Sequence, residues 1–218
     1  MPDSIVIVSA ARTPMGAFQG DFSSLAAHDL GGAAIRAAVQ RAVQHSRFTP
    51  ELVTEVLFGN CLMAGQGQAP ARQAGFKGGL PQSAGAVTLS KMCGSAMRAA
   101  MFAHDMLLAG SHDVLVAGGM ESMTNAPYLL PKARGGYRIG HDRIFDHMML
   151  DGLEDAYEPG RSMGTFGEDC AAKYGAQGIN HQSSGVNVLS SSSTFLSRGS
   201  STEAISGPWG VATDDFHV

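Results

Sequence analysis

Cys93 is the residue of this 218-residue chain whose type and position best suit nucleophilic chemistry. It follows residues 87–89, which favour a β-strand, and precedes a run from Gly94 in which apolar residues recur at helical spacing. The first N–H groups of a helix lack intrahelical partners and carry partial positive charge, so a thiolate at this junction is stabilised. Two interpretations stay open from these residues alone: a reactive thiol at a helix N-terminus, or a small core cysteine.

The elements that would position Cys93 are predicted from residues 84–122. The helix after Gly94 is expected to end at Ala109-Gly110, and residues 113–117 read as a short buried strand that ends at Gly118-Gly119. Open α/β folds place their sites at the C-terminal edge of such strands. Small residues dominate the start of the helix, which predicts close packing on several sides and a path through the middle of the domain.

The rest of the chain up to residue 124 alternates strand and helix patterns. Strands are expected at residues 4–9 and 55–62, and helices at residues 29–43 and 69–80. With the elements around Cys93, this gives an α/β fold of βαβαβαβ order, with a mostly parallel sheet and right-handed crossovers. Cys61 is interpreted as a core residue inside the second strand. Residues 165–174 are interpreted as a short helix, with Cys170 packed against the body of the domain.

Residues 64–68 form a Gly-rich stretch before a predicted helix, where a phosphate cradle is one interpretation. The stretch lacks the Lys-Ser/Thr pair of a P-loop and does not match the dinucleotide-binding motif. The alternative is a loop that packs near the site, and this interpretation is favoured. His141 and His147, flanked by aspartates, raise a metal site only as a weak alternative, so no metal ligand is predicted.

Composition narrows the class of function. A net charge of −4 and a pI near 6.0 argue against nucleic acid and anionic membranes as partners. Three cysteines at unrelated spacings form neither a disulfide framework nor a zinc site. The N-terminus does not resemble a secretory signal, and no apolar run is long enough to cross a bilayer. A reducing cytoplasm is therefore the expected location.

The last residues differ in composition from the rest. Residues 176–218 are rich in serine and show almost no helical or strand periodicity. This composition predicts a tail without ordered structure.

Several motifs, in order along the chain, give it a resemblance to a known family. SKMCGSAMRA around Cys93 resembles the nucleophile motif of the thiolases, the acetyl-CoA C-acetyltransferase and 3-ketoacyl-CoA thiolase family. IVIVSAARTPMGAFQG, EVLFGNCLMAGQGQAPARQA and VAGGMESMTNAPY are similar to that family's first strand, its second strand and helix, and the segment after its nucleophile helix. MMLDGLEDAY and RSMGTFGEDCAAKYG resemble its coenzyme-binding loop region. The resemblance spans residues 5–175.

The resemblance implies a thiolase-like fold of which this chain carries the N-terminal βαβαβαβ half, the C-terminal half being absent. Residues 1–124 would be the N-terminal α/β domain, residues 125–175 the start of the coenzyme-binding loop region, and residues 176–218 the tail. It also implies acyl transfer in fatty acid metabolism, through a Cys93 thioester intermediate. Leu153, Ser162 and Met163 would contact the coenzyme A thioester, although the family often has His where this chain has Ser162. No permanently bound cofactor is implied, and the intact family forms homodimers or homotetramers.

The same resemblance implies chemical groups that this sequence does not contain. The family's Asn-Glu-containing motif, Gly-His-Pro motif and second catalytic Cys are absent as sequence strings. His104 cannot replace the base, since eleven residues of helix separate it from Cys93 by roughly 16 Å. The leading hypothesis is an acetyl-CoA C-acetyltransferase; the alternative is an inactive thiolase fragment that keeps only folding or dimer contacts. A relative of the β-ketoacyl synthases is disfavoured by MMLDGLEDAY.

Overall fold

The structure, a computed structural model, describes residues 4–175 and 192–199. Within these residues the chain forms seven strands and four α-helices. In chain order they are β1 Ser4–Arg12, α1 Ala27–His45, β2 Glu55–Gly59, α2 Pro70–Lys77, β3 Gly85–Leu89, α3 Ser95–Leu108, β4 Val114–Gly119, β5 Tyr128–Leu129, β6 Phe145–Asp146, α4 Met163–Tyr174 and β7 Ser192–Gly199.

Five of these strands form the main sheet, in the order β1-β7-β4-β2-β3. β2 pairs in parallel with both β3 and β4. β7 pairs antiparallel with β4 and with β1, so β1 runs in the same direction as β2, β3 and β4. The predicted α/β fold with a mostly parallel sheet is therefore confirmed.

β7 departs from the prediction that residues 176–218 lack ordered structure. It lies between β1 and β4, with Phe195 opposite Val116 and Arg198 opposite Ile5 in the two ladders. The pairing satisfies backbone N–H and C=O groups along two strand edges, and composition alone does not reveal that kind of stabilisation. The rest of the predicted tail lies outside the described residues.

The two faces of the sheet are covered by different helices because side chains alternate along β2 and β4. Val56, Phe58, Val114 and Val116 pack in the apolar cluster that includes α1 and α2. Leu57, Leu115 and Ala117 pack with Ala99, Ala103 and Leu107 of α3. The result is a three-layer arrangement with helices on both faces of the sheet, in which α3 lies opposite α1 and α2.

α3 covers one face of the sheet only, so the prediction that it passes through the middle of the domain is wrong for the described residues. Its buried stripe is Ser95, Ala99, Ala103 and Leu107. Its larger apolar residues point outward: Met97 is 71% exposed and Leu108 60% exposed. Small residues bring the helix backbone close to the sheet, which leaves the long side chains on the outer surface.

Several element ends differ from the sequence-based expectations. β1 continues to Arg12, three residues past the predicted end, while β2 stops at Gly59, before Cys61. α2 is shorter than predicted because Pro70 begins it and Gly78 follows its last residue. Between β4 and α4 the chain forms mostly irregular structure, with β5 and β6 paired antiparallel. Among the described residues, no helix has both the length and the apolar character needed to span a bilayer.

Candidate active site

Cys93 lies in a tight turn between β3 and α3. Met92, immediately before it, has a φ of 47°, a left-handed conformation that is uncommon for a residue other than glycine. Within the turn the Gly94 N–H donates to the Lys91 carbonyl at 3.1 Å, and the Ser95 N–H donates to the Met92 carbonyl at 3.0 Å. Cys93 is exposed at this turn. Its predicted position at the start of the helix is confirmed, while its role as nucleophile stays a prediction.

Two glycines bring the start of α3 against the ends of the strands. A Cβ on Gly59, the last residue of β2, would lie 2.6 Å from the Ser95 Cβ and 2.7 Å from the Ala96 nitrogen. A Cβ on Gly119, the last residue of β4, would lie 2.8 Å from the Ala96 Cβ. Since real Cβ atoms do not approach this closely, only glycine permits the contact. Cys93 therefore lies where the carboxyl ends of β2, β3 and β4 meet.

A positive charge lies beside the same turn. The Lys91 ammonium is close to Gly94, at 3.6 Å from the position that a Cβ would take there. With the partial positive charge at the start of α3, it favours a negative charge near Cys93.

Cys61 is the second thiol at this turn, and the sequence-based interpretation of it was wrong. It follows the end of β2 and is half-buried instead of lying in the core. Its thiol donates to the Met92 carbonyl oxygen at 3.2 Å and lies 3.5 Å from the Ser95 Oγ. Burial, together with the nearby charge of Glu121, raises the pKa of the Cys61 thiol.

Glu121 anchors the segment that carries Cys61. Its carboxylate accepts hydrogen bonds from the Cys61 N–H at 2.8 Å, the Leu62 N–H at 3.2 Å and the Asn60 Nδ2 at 2.7 Å. Burial raises the pKa of the Glu121 carboxyl, whereas the backbone donors oppose that rise. Sequence reasoning missed Glu121, because its partners lie about sixty residues away and no motif links them.

The Gly-rich loop is held by side-chain amides. The Gln66 Nε2 donates to the Asn60 Oδ1 at 3.0 Å and to the Leu62 carbonyl at 2.8 Å. The Gln73 Nε2 donates to the carbonyls of Gln66 and Gln68, both at 2.8 Å. These contacts confirm the favoured interpretation of residues 64–68 as a loop that packs near the site.

Three of the described histidines, His104, His112 and His147, have partners other than Cys93. His147 is buried, with its Nδ1 2.6 Å from the Asp151 Oδ2. The His112 Nδ1 lies 2.8 Å from the Thr54 Oγ1. His104 is exposed on α3 beside Asp105. Within residues 4–175, no cluster of three or more His, Cys, Asp or Glu residues could hold a metal ion.

The predicted thioester-contacting residues lie around one loop. Leu153 ends a π-helical turn and packs against the apolar cluster of Leu30, Leu62 and Met123, which Cys61 also contacts. Ser162 precedes α4 and is bridged to Glu154, the residue after Leu153. Met163 begins α4. Leu153 and Cys61 thus pack against the same apolar cluster, and Ser162 is paired with the residue that follows Leu153. The roles of Leu153, Ser162 and Met163 stay predictions.

Cys170 also differs from its sequence-based interpretation. It lies on α4 and is exposed instead of packing against the body of the domain. It is therefore a thiol on a helix surface, away from a helix start.

Comparisons with known proteins agree with this geometry. Residues 5–183 match the thiolase N-terminal domain family. The chain is 49% identical over 173 residues to acetyl-CoA acetyltransferase 1 of Arabidopsis thaliana, covering 79% of this chain and 40% of that protein. It is 45% identical over 171 residues to acetyl-CoA acetyltransferase of Cupriavidus necator, covering 78% of this chain and 42% of that protein.

Among solved structures, the fold is similar to the Acat5 thiolase from Ascaris suum in complex with coenzyme A. The TM-score is 0.79 and the identity is 25%, over 90% of this chain and 66% of that chain. The chain spans about two fifths of the length of the two curated relatives above. The match over most of the chain shows that it belongs to the thiolase family, through the N-terminal domain of that family.

Proposed function

We propose that these residues carry the acyl-transfer step of an acetyl-CoA acetyltransferase, with Cys93 as the nucleophile. The Cys93 thiolate attacks the thioester carbonyl of acetyl-CoA, a new S–C bond forms, and the bond to coenzyme A breaks. Coenzyme A leaves as a thiolate and takes up a proton, and the acetyl group remains on Cys93 as a thioester. The observation that carries the proposal is the exposed Cys93 thiol at the start of α3, in a chain 45–49% identical to two acetyl-CoA acetyltransferases.

The surroundings of Cys93 suit this step electrostatically. Attack on the thioester develops negative charge on the carbonyl oxygen, which hydrogen-bond donors and nearby positive charge stabilise. The start of α3 supplies N–H groups without intrahelical partners, and Lys91 supplies an ammonium group beside Gly94. The strand ends that meet at Gly59 and Gly119 hold this helix start in place before substrate arrives.

Coenzyme A thioester is proposed as a substrate of the chain and not as a permanently bound cofactor. We assign contact with its thioester end to Leu153, Ser162 and Met163. The support for this assignment is the position of the three residues around one loop, and the apolar cluster that links Leu153 to Cys61. A coenzyme A complex in a structural relative supports the same ligand class.

A complete catalytic cycle needs a base as well as a nucleophile. His104, His112 and His147 each contact a partner other than Cys93. We therefore propose that the chain accepts an acetyl group but that turnover supported by these described histidines is slow. General bases typically contribute about 10²–10⁴-fold. The working enzyme is proposed to be a homodimer or homotetramer that acts in fatty acid metabolism. A reducing compartment such as the cytoplasm is proposed because the chemistry requires a free thiol.

A second candidate is a folded fragment that keeps only contacts with other subunits. The outward apolar side chains of α3, Met97, Met101 and Leu108, favour it, because a surface of this kind is typical of a protein contact. The two candidates differ in one respect: only the first requires Cys93 to accept an acetyl group.

Exchange of labelled coenzyme A into acetyl-CoA tests the proposal. This exchange requires formation and reversal of the acetyl-enzyme alone, so a slow later step does not obscure it. We expect exchange with the intact chain, none with Cys93→Ala, and unchanged exchange with Cys170→Ala. Exchange that persists in Cys93→Ala would overturn the assignment of the nucleophile, and no exchange in any variant would favour the second candidate.

A further inference from the structure

One hydroxyl group closes the turn that presents Cys93. The Ser95 Oγ accepts the Lys91 N–H at 2.8 Å and donates to the Met92 carbonyl at 2.5 Å. Ser95 is 5% exposed, so water has little access to replace either bond. The same oxygen lies 3.5 Å from the Cys61 Sγ. Ser95 therefore joins both sides of the turn whose tip is Cys93.

The turn needs this support because of the backbone at Met92. A left-handed conformation is unfavourable for a residue with a side chain, because its Cβ lies too close to the following carbonyl oxygen. Met92 adopts it with φ of 47°, and its side chain is exposed and 46% accessible, so packing of that side chain does not hold it. Its carbonyl oxygen is instead fixed by the Ser95 hydroxyl, the Ser95 N–H and the Cys61 thiol.

We propose that Ser95 is a positioning residue that holds the Met92–Cys93 turn, and so keeps the Cys93 sulfur within the positive field of Lys91 and the start of α3. This proposal rests on the proposed function in one respect: the proposed function supplies the reaction that the Cys93 sulfur performs. The hydroxyl acts through the backbone of Lys91 and Met92 and does not touch the substrate.

A specific change in reactivity follows from this arrangement. An exposed thiol in a positive field reacts with an anionic reagent faster, relative to a neutral one, than a thiol outside the field. Without the Ser95 hydroxyl, the Lys91 N–H and the Met92 carbonyl lose a partner, and the turn relaxes towards ordinary backbone conformations. The preference of Cys93 for an anionic reagent should then fall, although Cys93 stays exposed.

The test compares the rates at which iodoacetate and iodoacetamide modify Cys93 at low ionic strength, in the full chain and in Ser95→Ala. Cys170, an exposed thiol on α4, is the reference within the same molecule. Ser122→Ala is the matched control, since Ser122 is 4% exposed and its hydroxyl also donates one bond, to the Leu25 carbonyl, and accepts one, from Asn125. We expect the iodoacetate preference of Cys93 to fall about two- to fivefold in Ser95→Ala, with no change in Ser122→Ala.

An unchanged preference in Ser95→Ala would overturn the proposal, as would an equal fall in Ser122→Ala. A second measurement applies even if Ser95→Ala does not fold. In the unmodified chain, hydrogen exchange at the Lys91 amide should be slow, because that N–H bonds a buried hydroxyl; exchange as fast as in an open loop would overturn the proposal. Neither measurement uses acetyl-CoA, so a failure of the proposed function leaves both results interpretable.

Discussion

Two cysteines meet at one turn of this molecule and have opposite surroundings. Cys93 is exposed at the start of α3, with the Lys91 ammonium beside the neighbouring Gly94. Cys61 is half-buried behind the turn, donates its thiol hydrogen to the Met92 carbonyl, and lies near the Glu121 carboxylate. Both thiols lie near the start of α3, so closeness to a helix start does not by itself distinguish them. Exposure and the sign of the nearest charge separate the two residues.

The contrast also indicates different roles for the two thiols. The Cys61 side chain helps to fix the Met92 carbonyl, and its backbone N–H is held by Glu121. Cys61 thus belongs to the support of the turn, whereas Cys93 lies on its exposed surface and is the proposed nucleophile. Substitutions and chemical modification can test whether the two thiols differ in this way.

Removing the Glu121 carboxylate should destabilise the segment that carries Cys61. In Glu121→Ala, the N–H groups of Cys61 and Leu62 and the side chain of Asn60 lose their acceptor. We expect the free energy of unfolding to fall by about 2–3 kcal/mol, since unsatisfied buried donors cost this much. Urea denaturation measures this change in the free energy of unfolding. Glu158→Ala is the control: Glu158 pairs with Arg161 on the surface, and its loss should cost much less than the loss of Glu121. Equal losses in the two variants would contradict the anchoring role.

Alkylation should show the contrast between the thiols directly. We expect iodoacetamide to modify Cys93 faster than Cys61 at neutral pH, because Cys93 is exposed whereas burial raises the pKa of the Cys61 thiol and so lowers its thiolate fraction. Peptide mapping by mass spectrometry at successive times measures both rates in one sample. The difference should disappear in denaturant; faster modification of Cys61 in the folded chain would refute these roles of the two thiols.

Substitution of Lys91 tests whether its positive charge affects the reaction of Cys93. Lys91→Met should slow the reaction of Cys93 with iodoacetate about two- to threefold at low salt, the size expected for a partly screened surface charge. The effect should shrink as salt is added. Lys132→Met removes an exposed ammonium that pairs with Asp142, and it serves as the control. A salt-independent effect, or the same effect in the control, would mean that the Lys91 charge is not responsible.

The free energy of unfolding should depend on pH through Glu121. This change should be smaller than the one caused by Glu121→Ala. The pKa of Glu121 is raised in the folded state, so the folded protein binds this proton more tightly than the unfolded chain does. The contribution of Glu121 to stability is therefore fully present below the ordinary glutamate pKa, about 4.3. It is lost as pH rises through the raised value.

Urea titrations of the unmodified chain and of Glu121→Gln, from acidic to neutral pH, measure this contribution as a difference. His147 and Cys61 are the titratable neighbours of Glu121 that also enter the comparison. A difference in stability that does not change with pH, or that grows as pH rises, would contradict the raised pKa.

The sequence predicted most of the sheet and the position of Cys93 because that information is local. Runs of β-favouring and apolar residues identify β2, β3 and β4, the helical hydrophobic period identifies α3, and glycines mark several element ends. The outward and inward faces of α3 could not be separated in this way, since Met97 is more hydrophobic than Ala99 but lies on the solvent side. Which face is buried depends on the close approach that Gly59 and Gly119 permit.

The support of the turn was not predictable from the sequence, for a physical reason. Cys61, Met92 and Glu121 are about thirty residues apart in sequence and meet only because parallel strands bring their carboxyl ends together. The same is true of β7, whose pairing with β1 and β4 joins the two ends of the described chain. Its serine-rich composition gives no indication of partners so distant in sequence.

The central claim is that Cys93 alone among the three thiols accepts an acyl group. The most direct test is to incubate the 218-residue chain with acetyl-CoA, measure the intact mass, and map the modified peptide. The account predicts the mass of one added acetyl group, carried by Cys93, which disappears in Cys93→Ala and remains in Cys61→Ala and Cys170→Ala. An acetyl group on Cys61 or Cys170, or acetylation that survives in Cys93→Ala, would contradict it.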